Sequence, residues 1–330
     1  MTDQSTDEQT TASQADIPDF PIVGIGTSAG GLGACRTFFE NVPDDSDIAF
    51  VLVQHLSPDY ESHLASILQR HIDIPVIQIE NNTKVKPNRL YIIPPNRNLT
   101  LKDGRLYLIK PAKSQKIHFP IDHFFETLAN ALGDNSLAVV LTGNGSDGTN
   151  GIKAIKEAGG IIFAEDPLTS EYSGMPSSAV QTGLVDYIAH VQQLPRHIIQ
   201  HIQHGFLKDV LPVDEDEQGN SHSTRSYLKQ IFDILKEETG RDFSQYKKTT
   251  IQRRIEQRMS VNIIQSIEEY VTYLRQHPIE VDNLFRNILI GVTRFFRDKD
   301  IINAFNNQAL KPLILDHPDE QPLRGWVAGC

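Results

Sequence analysis

Pro21-Ile22-Val23-Gly24-Ile25-Gly26-Thr27-Ser28-Ala29-Gly30-Gly31 is the stretch on which the fold turns. An apolar run leads into a glycine-rich segment, and residues 32–41 follow with helical character, so the order reads strand, turn, helix. Gly26-x-Ser28-x-Gly30 fits a nucleophile elbow. There a sharp turn lifts a serine hydroxyl above the sheet edge, and small neighbours let the backbone pass close by. The helix that follows would bring unpaired N–H groups and the positive dipole end near that hydroxyl, ready for an oxyanion. Two other readings fit the same residues. Gly24-x-Gly26-x-x-x-Gly30 could be the phosphate-binding turn of a dinucleotide fold, or a plain structural turn.

Moving outward, residues 48–53 (Ile-Ala-Phe-Val-Leu-Val) form a continuous apolar run, the pattern of a buried parallel strand. A dinucleotide fold wants Asp or Glu near the end of that strand to hold a ribose, and this chain has Gln54-His55 instead. Catalytic groups of open parallel sheets gather at the carboxyl ends of strands. His55 can therefore lie beside Ser28. A third buried-type strand, Ala138-Val139-Val140-Leu141, precedes Thr142-Gly143-Asn144-Gly145-Ser146-Asp147-Gly148-Thr149. Asp147 is the expected orienting acid, with Asp122 and Asp166 as competitors. The bland alternative is that Asp147 only caps the helix predicted over residues 151–158 or shapes the turn. The order Ser28, His55, Asp147 differs from that of α/β-hydrolases, but triads are recognised by geometry rather than order.

Three segments together resemble the signature loops of CheB-type methylesterases: Gly26-Thr27-Ser28-Ala29-Gly30-Gly31, Val53-Gln54-His55-Leu56-Ser57-Pro58 and Leu141-Thr142-Gly143-Asn144-Gly145-Ser146-Asp147-Gly148. Tyr91-Ile92-Ile93-Pro94-Pro95 and Gly174-Met175-Pro176 support the likeness, which runs from about residue 21 to 204. Members of that family hydrolyse methyl-glutamate esters on chemoreceptors, and many deamidate receptor glutamines. The resemblance implies Ser28 as nucleophile, His55 as general base and acid, Asp147 as orienting carboxylate, and no cofactor. The family commonly has Met where this chain has Asn144, in the loop near the oxyanion.

The rest of the composition fits an enzyme of this kind. The 330 residues suffice for two domains with sizeable cores. No run of about 18 apolar residues occurs, so no membrane span is expected. Two cysteines, Cys35 and Cys330, exclude a disulfide framework and point to the reducing cytoplasm. A formal net charge of −11 argues against general nucleic-acid binding. No Cys/His cluster has zinc spacing, and His197, His201 and His204 read as a solvated helix face.

Residues 1–20 read as a disordered tail, 21–204 as a parallel α/β domain of three layers with a hairpin over residues 99–109, and 205–224 as an acidic linker. Residues 225–293 carry helical periodicity and a basic helix with Arg253, Arg254 and Arg258. This all-α part resembles the N-terminal domain of CheR-type receptor methyltransferases through Thr239-Gly240, residues 253–258 and residues 292–297. The resemblance implies a receptor-facing role for the arginines. It also implies an S-adenosylmethionine pocket at Thr293, Phe296, Arg297 and, in the Gly-rich opening at residues 323–330, Gly329. Residues 294–330 are expected to be the truncated start of a second α/β domain that binds no S-adenosylmethionine, with no receiver domain ahead of Pro21. The expected partners are chemoreceptor-like cytoplasmic helices, with no nucleic acid and no direct membrane insertion. The contending functions are an esterase on glutamate methyl esters, a wider esterase or amidase, a silent signalling scaffold and, last, dinucleotide binding.

Overall fold

The computed structural model describes residues 18–54, 63–111, 118–205, 221–246, 248–289 and 304–315. Its centre is a seven-stranded sheet of β1 (Ile22–Thr27), β2 (Ala49–Gln54), β3 (Val76–Gln78), β5 (Arg89–Ile92), β8 (Leu137–Val140), β9 (Ile161–Glu165) and β10 (Tyr187–Ala189). All pairings are parallel, in the order β10-β9-β8-β1-β2-β5-β3. The chain first builds outward from β1 through β2, then crosses back and builds the other way from β8. The switch point therefore falls between β1 and β8, where open α/β sheets bind their ligands.

Helices cover both faces. On one lie α1 (Gly31–Phe39), α2 (Leu64–Leu68) and α6 (Leu194–Gly205); on the other, α3 (Pro120–Leu132), α4 (Thr149–Ala158) and α5 (Gly174–Gln181). Alternation along the strands feeds each layer: Phe50 and Leu52 of β2 pack with α1, and Val51 and Val53 with α3. A small antiparallel sheet of β4 (Thr83–Lys84), β6 (Asn98–Lys102) and β7 (Arg105–Ile109) closes the α3 side. Its two-residue Asp103-Gly104 turn has positive φ at both positions, 49° and 65°, as the right-handed strand twist favours.

The glycines ahead of Ser28 do a different job from the one expected. Gly24 and Gly26 lie inside β1, not in a turn. They let α3 settle on the strand: a β-carbon on Gly26 would stand 2.4 Å from Ile121 Cγ2, and one on Gly24 2.9 Å from Leu128 Cδ2. Gly26→Ala is thus expected to cost about 1–3 kcal/mol by overpacking. Urea unfolding measures this, and an unchanged midpoint would show that α3 moves aside freely.

The second helical group comprises α7 (Ser221–Thr239), α8 (Lys248–Val261), α9 (Ile267–Gln276) and α10 (Pro278–Leu289), with Ile231, Leu235, Ile255, Tyr270, Leu274 and Leu284 in its own core. The helix α7 reaches back to Ser221, into the segment expected to be linker, and ends before Gly240 at φ 71°. Residues 206–220 lie outside the described set.

The basic helix α8 is not a free docking face. It packs on α6, and its Val261 joins the core on the α1 side of the sheet. Arg254 and Arg258 are each 5% exposed. Arg258 Nε and Nη2 donate to the two carboxylate oxygens of Glu280 at 2.9 and 2.6 Å. Its Nη1 stands 3.6 Å from Asp186, which also pairs with buried Lys156 of α4. Arg253 pairs with Asp134 at 3.1 Å, and Gln257 donates to the Gly159 carbonyl. Guanidinium groups this close to carboxylates of the parallel-sheet domain hold the two domains together. The histidine expectation is corrected for the same reason. His201 Nδ1 shares a 2.7 Å hydrogen bond with Ser260 of α8, and His197 Nε2 shares one with Tyr187. Both rings are half-buried rather than solvated.

Residues 304–315 belong to a separate unit. They form a helical stretch ending in α11 (Lys311–Leu315), with Phe305 and Leu313 more than half exposed. The expected second α/β domain falls mostly outside the described residues.

Candidate active site

Ser28 leaves β1 at the carboxyl edge of the sheet, directly beside the switch point. Its N–H donates to the Thr142 carbonyl at 3.1 Å, so the segment after β1 is pinned to the segment after β8. Thr27 Oγ1 donates to the same carbonyl at 2.7 Å. Across the other neighbour, Thr27 pairs in register with Gln54, whose Nε2 donates to the Ser28 carbonyl at 3.1 Å. The sharp turn itself falls to Gly30, at φ 75°, and Ser28 keeps a negative φ. The serine is thus presented without the left-handed strain that a side chain would pay there. Helix α1 starts at Gly31 with no side-chain cap, so its positive end opens beside Ser28. A cleft of about 600 Å³ lies over this turn, lined among others by Ser28, Gly31, Leu32, Gln54 and Glu171.

Asp147 follows β8 and is 7% exposed. It does not cap the helix that it precedes. Its Oδ1 accepts the N–H groups of Asp122 and Gly148, both at 2.9 Å, and its Oδ2 accepts that of Ile121 at 3.1 Å. The carboxylate therefore sits on the positive end of α3. Three donors on a carboxylate with about four acceptor positions leave room for one more, on the Oδ2 side. Burial pushes its pKa up to about 6, against the pull of the backbone donors. The two competing acids are occupied elsewhere. Asp122 Oδ1 accepts from Asn150 and Gly151 and caps α4, while Asp166 Oδ1 accepts from Leu168 in its own loop.

His55 follows the last residue of β2 and lies outside the described residues, as do Thr293, Phe296, Arg297 and Gly329. Two acids escaped the reading of the sequence. Glu165 ends β9 at 3% exposure and accepts the Thr142 N–H at 2.7 Å, fixing the loop that in turn fixes Ser28. Its place at the end of an apolar strand was a usable signal. Glu171 in the cleft had none. Cys35 is fully buried and its thiol is pushed up to about 12, chiefly by burial, so it is no rival nucleophile. Among the described residues no group of His, Cys, Asp and Glu comes together that could hold a metal ion.

Residues 23–198, more than half of the chain, match the family model of the CheB methylesterase. The chain belongs to the CheB methylesterase family. Residues 227–289 match a second family, the all-alpha domain of the CheR methyltransferase. The crystal structure of the Thermotoga maritima CheB methylesterase catalytic domain superposes with a TM-score of 0.52 at 31% identity, covering 56% of this chain and 99% of that one. A Rhizobium meliloti protein-glutamate methylesterase/protein-glutamine glutaminase is 33% identical over 54% of this chain and 50% of its own length. A 104.1 kDa protein in the hypE 3′ region of Rhodobacter capsulatus is 33% identical over 81% of this chain, and the chain spans 30% of its length. The CheB-type domain thus continues into a CheR-type helical domain, and the Rhodobacter match runs beyond the CheB-type part alone. Among the described residues, no helix is long and apolar enough to cross a membrane.

Proposed function

We propose that this chain is a protein-glutamate methylesterase that uses Ser28, His55 and Asp147 as a catalytic triad. The supporting observation is that Ser28 and the loop before Asp147 are tied together at the switch point, under one cleft. In this reading Ser28 Oγ attacks the γ-carbonyl carbon of a methylated glutamate, and His55 takes its proton. The oxyanion forms at the open end of α1. His55 then returns the proton to the departing methoxide, so methanol leaves and an acyl-serine remains. Water, activated by His55, releases the γ-carboxylate. A glutamine side chain would follow the same path with ammonia as leaving group, as in the paired names of the relatives. Asp147 holds the imidazole and stabilises its charged form. The substrates would be receptor-like cytoplasmic helices. Any S-adenosylmethionine chemistry of a CheR-type half falls to residues outside the described set, and no step above uses it.

Methanol release from a γ-methyl-glutamyl peptide tests the reading, with fluorophosphonate labelling of Ser28 as a second measure. A chain that neither labels nor releases methanol would be a binding scaffold instead. A pH dependence is expected as well. Asp147 serves the imidazolium only when ionised, so kcat/KM should rise as pH passes upward through about 6. The stability sign is opposite: a raised carboxyl pKa means the folded state binds more protons, so this group's destabilisation grows above its ordinary value of 3.8 and is complete above about 6. Asp147→Asn should flatten that acid limb of the stability curve, measured by urea midpoints from pH 4 to 7.

A further inference from the structure

We infer that Glu171 makes the cleft at Ser28 select by charge, admitting a neutral γ-ester or γ-amide and expelling the γ-carboxylate that hydrolysis creates. The inference rests on the esterase reading above and adds the residue that tells substrate from product.

Among the described residues lining the cleft, Glu171 is the only one that carries a charge; the others are Ser28, Gln54 and the small or apolar residues 29–33 of the turn and the start of α1. Its carboxylate leans on the turn itself: a β-carbon on Gly30, two residues from the nucleophile, would stand 2.9 Å from Glu171 Oε2. Gly30 is held at φ 75°, so the close approach falls where glycine is already required. The negative field reaches past the turn. Glu165, beneath Thr142, has its pKa raised mainly by burial, and Glu171 adds to that rise.

The chemistry gives this charge a task. A γ-methyl ester and a γ-amide are both neutral, and water converts either to a carboxylate that is ionised at neutral pH, with methanol or ammonia departing. The substrate therefore meets Glu171 without repulsion, and the product meets it as a like charge. Glu171 is exposed, so the preference is modest and falls with salt.

The test uses the full chain carrying Ser28→Ala, which binds without turning over, and two synthetic peptides identical except for a γ-methyl ester or a free γ-carboxylate. Calorimetry at low salt should show the ester bound more tightly by about three- to tenfold. Adding Glu171→Gln should bring the two affinities together, chiefly by strengthening the acid, and 0.5 M salt should do the same without the mutation. Equal affinities in the Ser28→Ala chain, a preference that survives Glu171→Gln, or no binding of either peptide would each overturn the inference. Methanol release by the unmutated chain judges the esterase reading separately.

Discussion

Ser28→Ala is expected to lower hydrolysis of a γ-methyl-glutamyl peptide by about four to six orders of magnitude. The alanine removes the only side-chain hydroxyl on the turn between β1 and α1, while Gly26, Gly30 and the Thr142 contact remain to hold the backbone. Stability should change little, since the substitution deletes one hydroxyl at a half-buried position. Residual turnover would come from the helix end and from binding alone. Because a nucleophile and its base act as a unit, Ser28→Ala/His55→Ala should be no slower than either single variant by more than a small factor. A stopped methanol assay with peptide substrate reads all three. Turnover within tenfold of the unmutated chain in Ser28→Ala would remove serine from the mechanism.

Arg258→Ala is expected to destabilise the folded chain by about 3–5 kcal/mol, a large share of what a protein of this size has to lose. Burial opposes the charge on Arg258, but its paired hydrogen bonds to Glu280 and the charges of Glu280 and Asp186 hold its pKa above the ordinary arginine value. Deletion leaves Glu280, 4% exposed, with the Tyr270 hydroxyl at 2.9 Å as the remaining side-chain donor to its carboxylate among the described residues. It also leaves Asp186 with the Ile162 N–H at 3.0 Å and Lys156 as its only cation among the described residues, and burial already pulls the pKa of Lys156 down. Buried pairs are costly to break yet cheap to replace as a whole. Arg258→Met with Glu280→Leu should therefore recover most of the loss. Urea unfolding of the single and double variants decides the matter. A loss below about 1 kcal/mol for the single variant would mean that water reaches the cluster and screens it.

This cluster also explains why one reading of the sequence failed. Three arginines in an acidic chain look like a surface for an acidic partner. The partner they found is inside the same chain: Asp134 and Asp186, more than 70 residues earlier, and Glu280, 22 residues later than Arg258. Helical spacing tells which side chains share a face, not what that face meets. The spacing of His197 and His201 misled in the same way, because Tyr187 and Ser260 take their ring nitrogens. The hairpin, by contrast, was legible to within a residue at each end of its first strand, since a Gly-containing turn between apolar runs already marks it.

By itself the sequence determined the local syntax of the protein. Apolar runs of strand length marked β2 and β8, glycine punctuation marked the turn at Ser28, and the segments after three strands held a serine, a histidine and an aspartate as candidates for one site. These follow from period, turn residues and residue type, which act over a few neighbours. Only the tertiary structure decided the rest. It put β8 beside β1, so that Thr142 holds Ser28 across 114 residues of chain. It placed Asp147 on the end of α3 instead of α4, kept Gly24 and Gly26 within a strand so that α3 could close on it, and set Glu171 over the cleft. Strand order, helix-to-helix caps and buried charge pairs join residues far apart in sequence. Their geometry is fixed by packing of the whole sheet, which no short stretch of sequence contains.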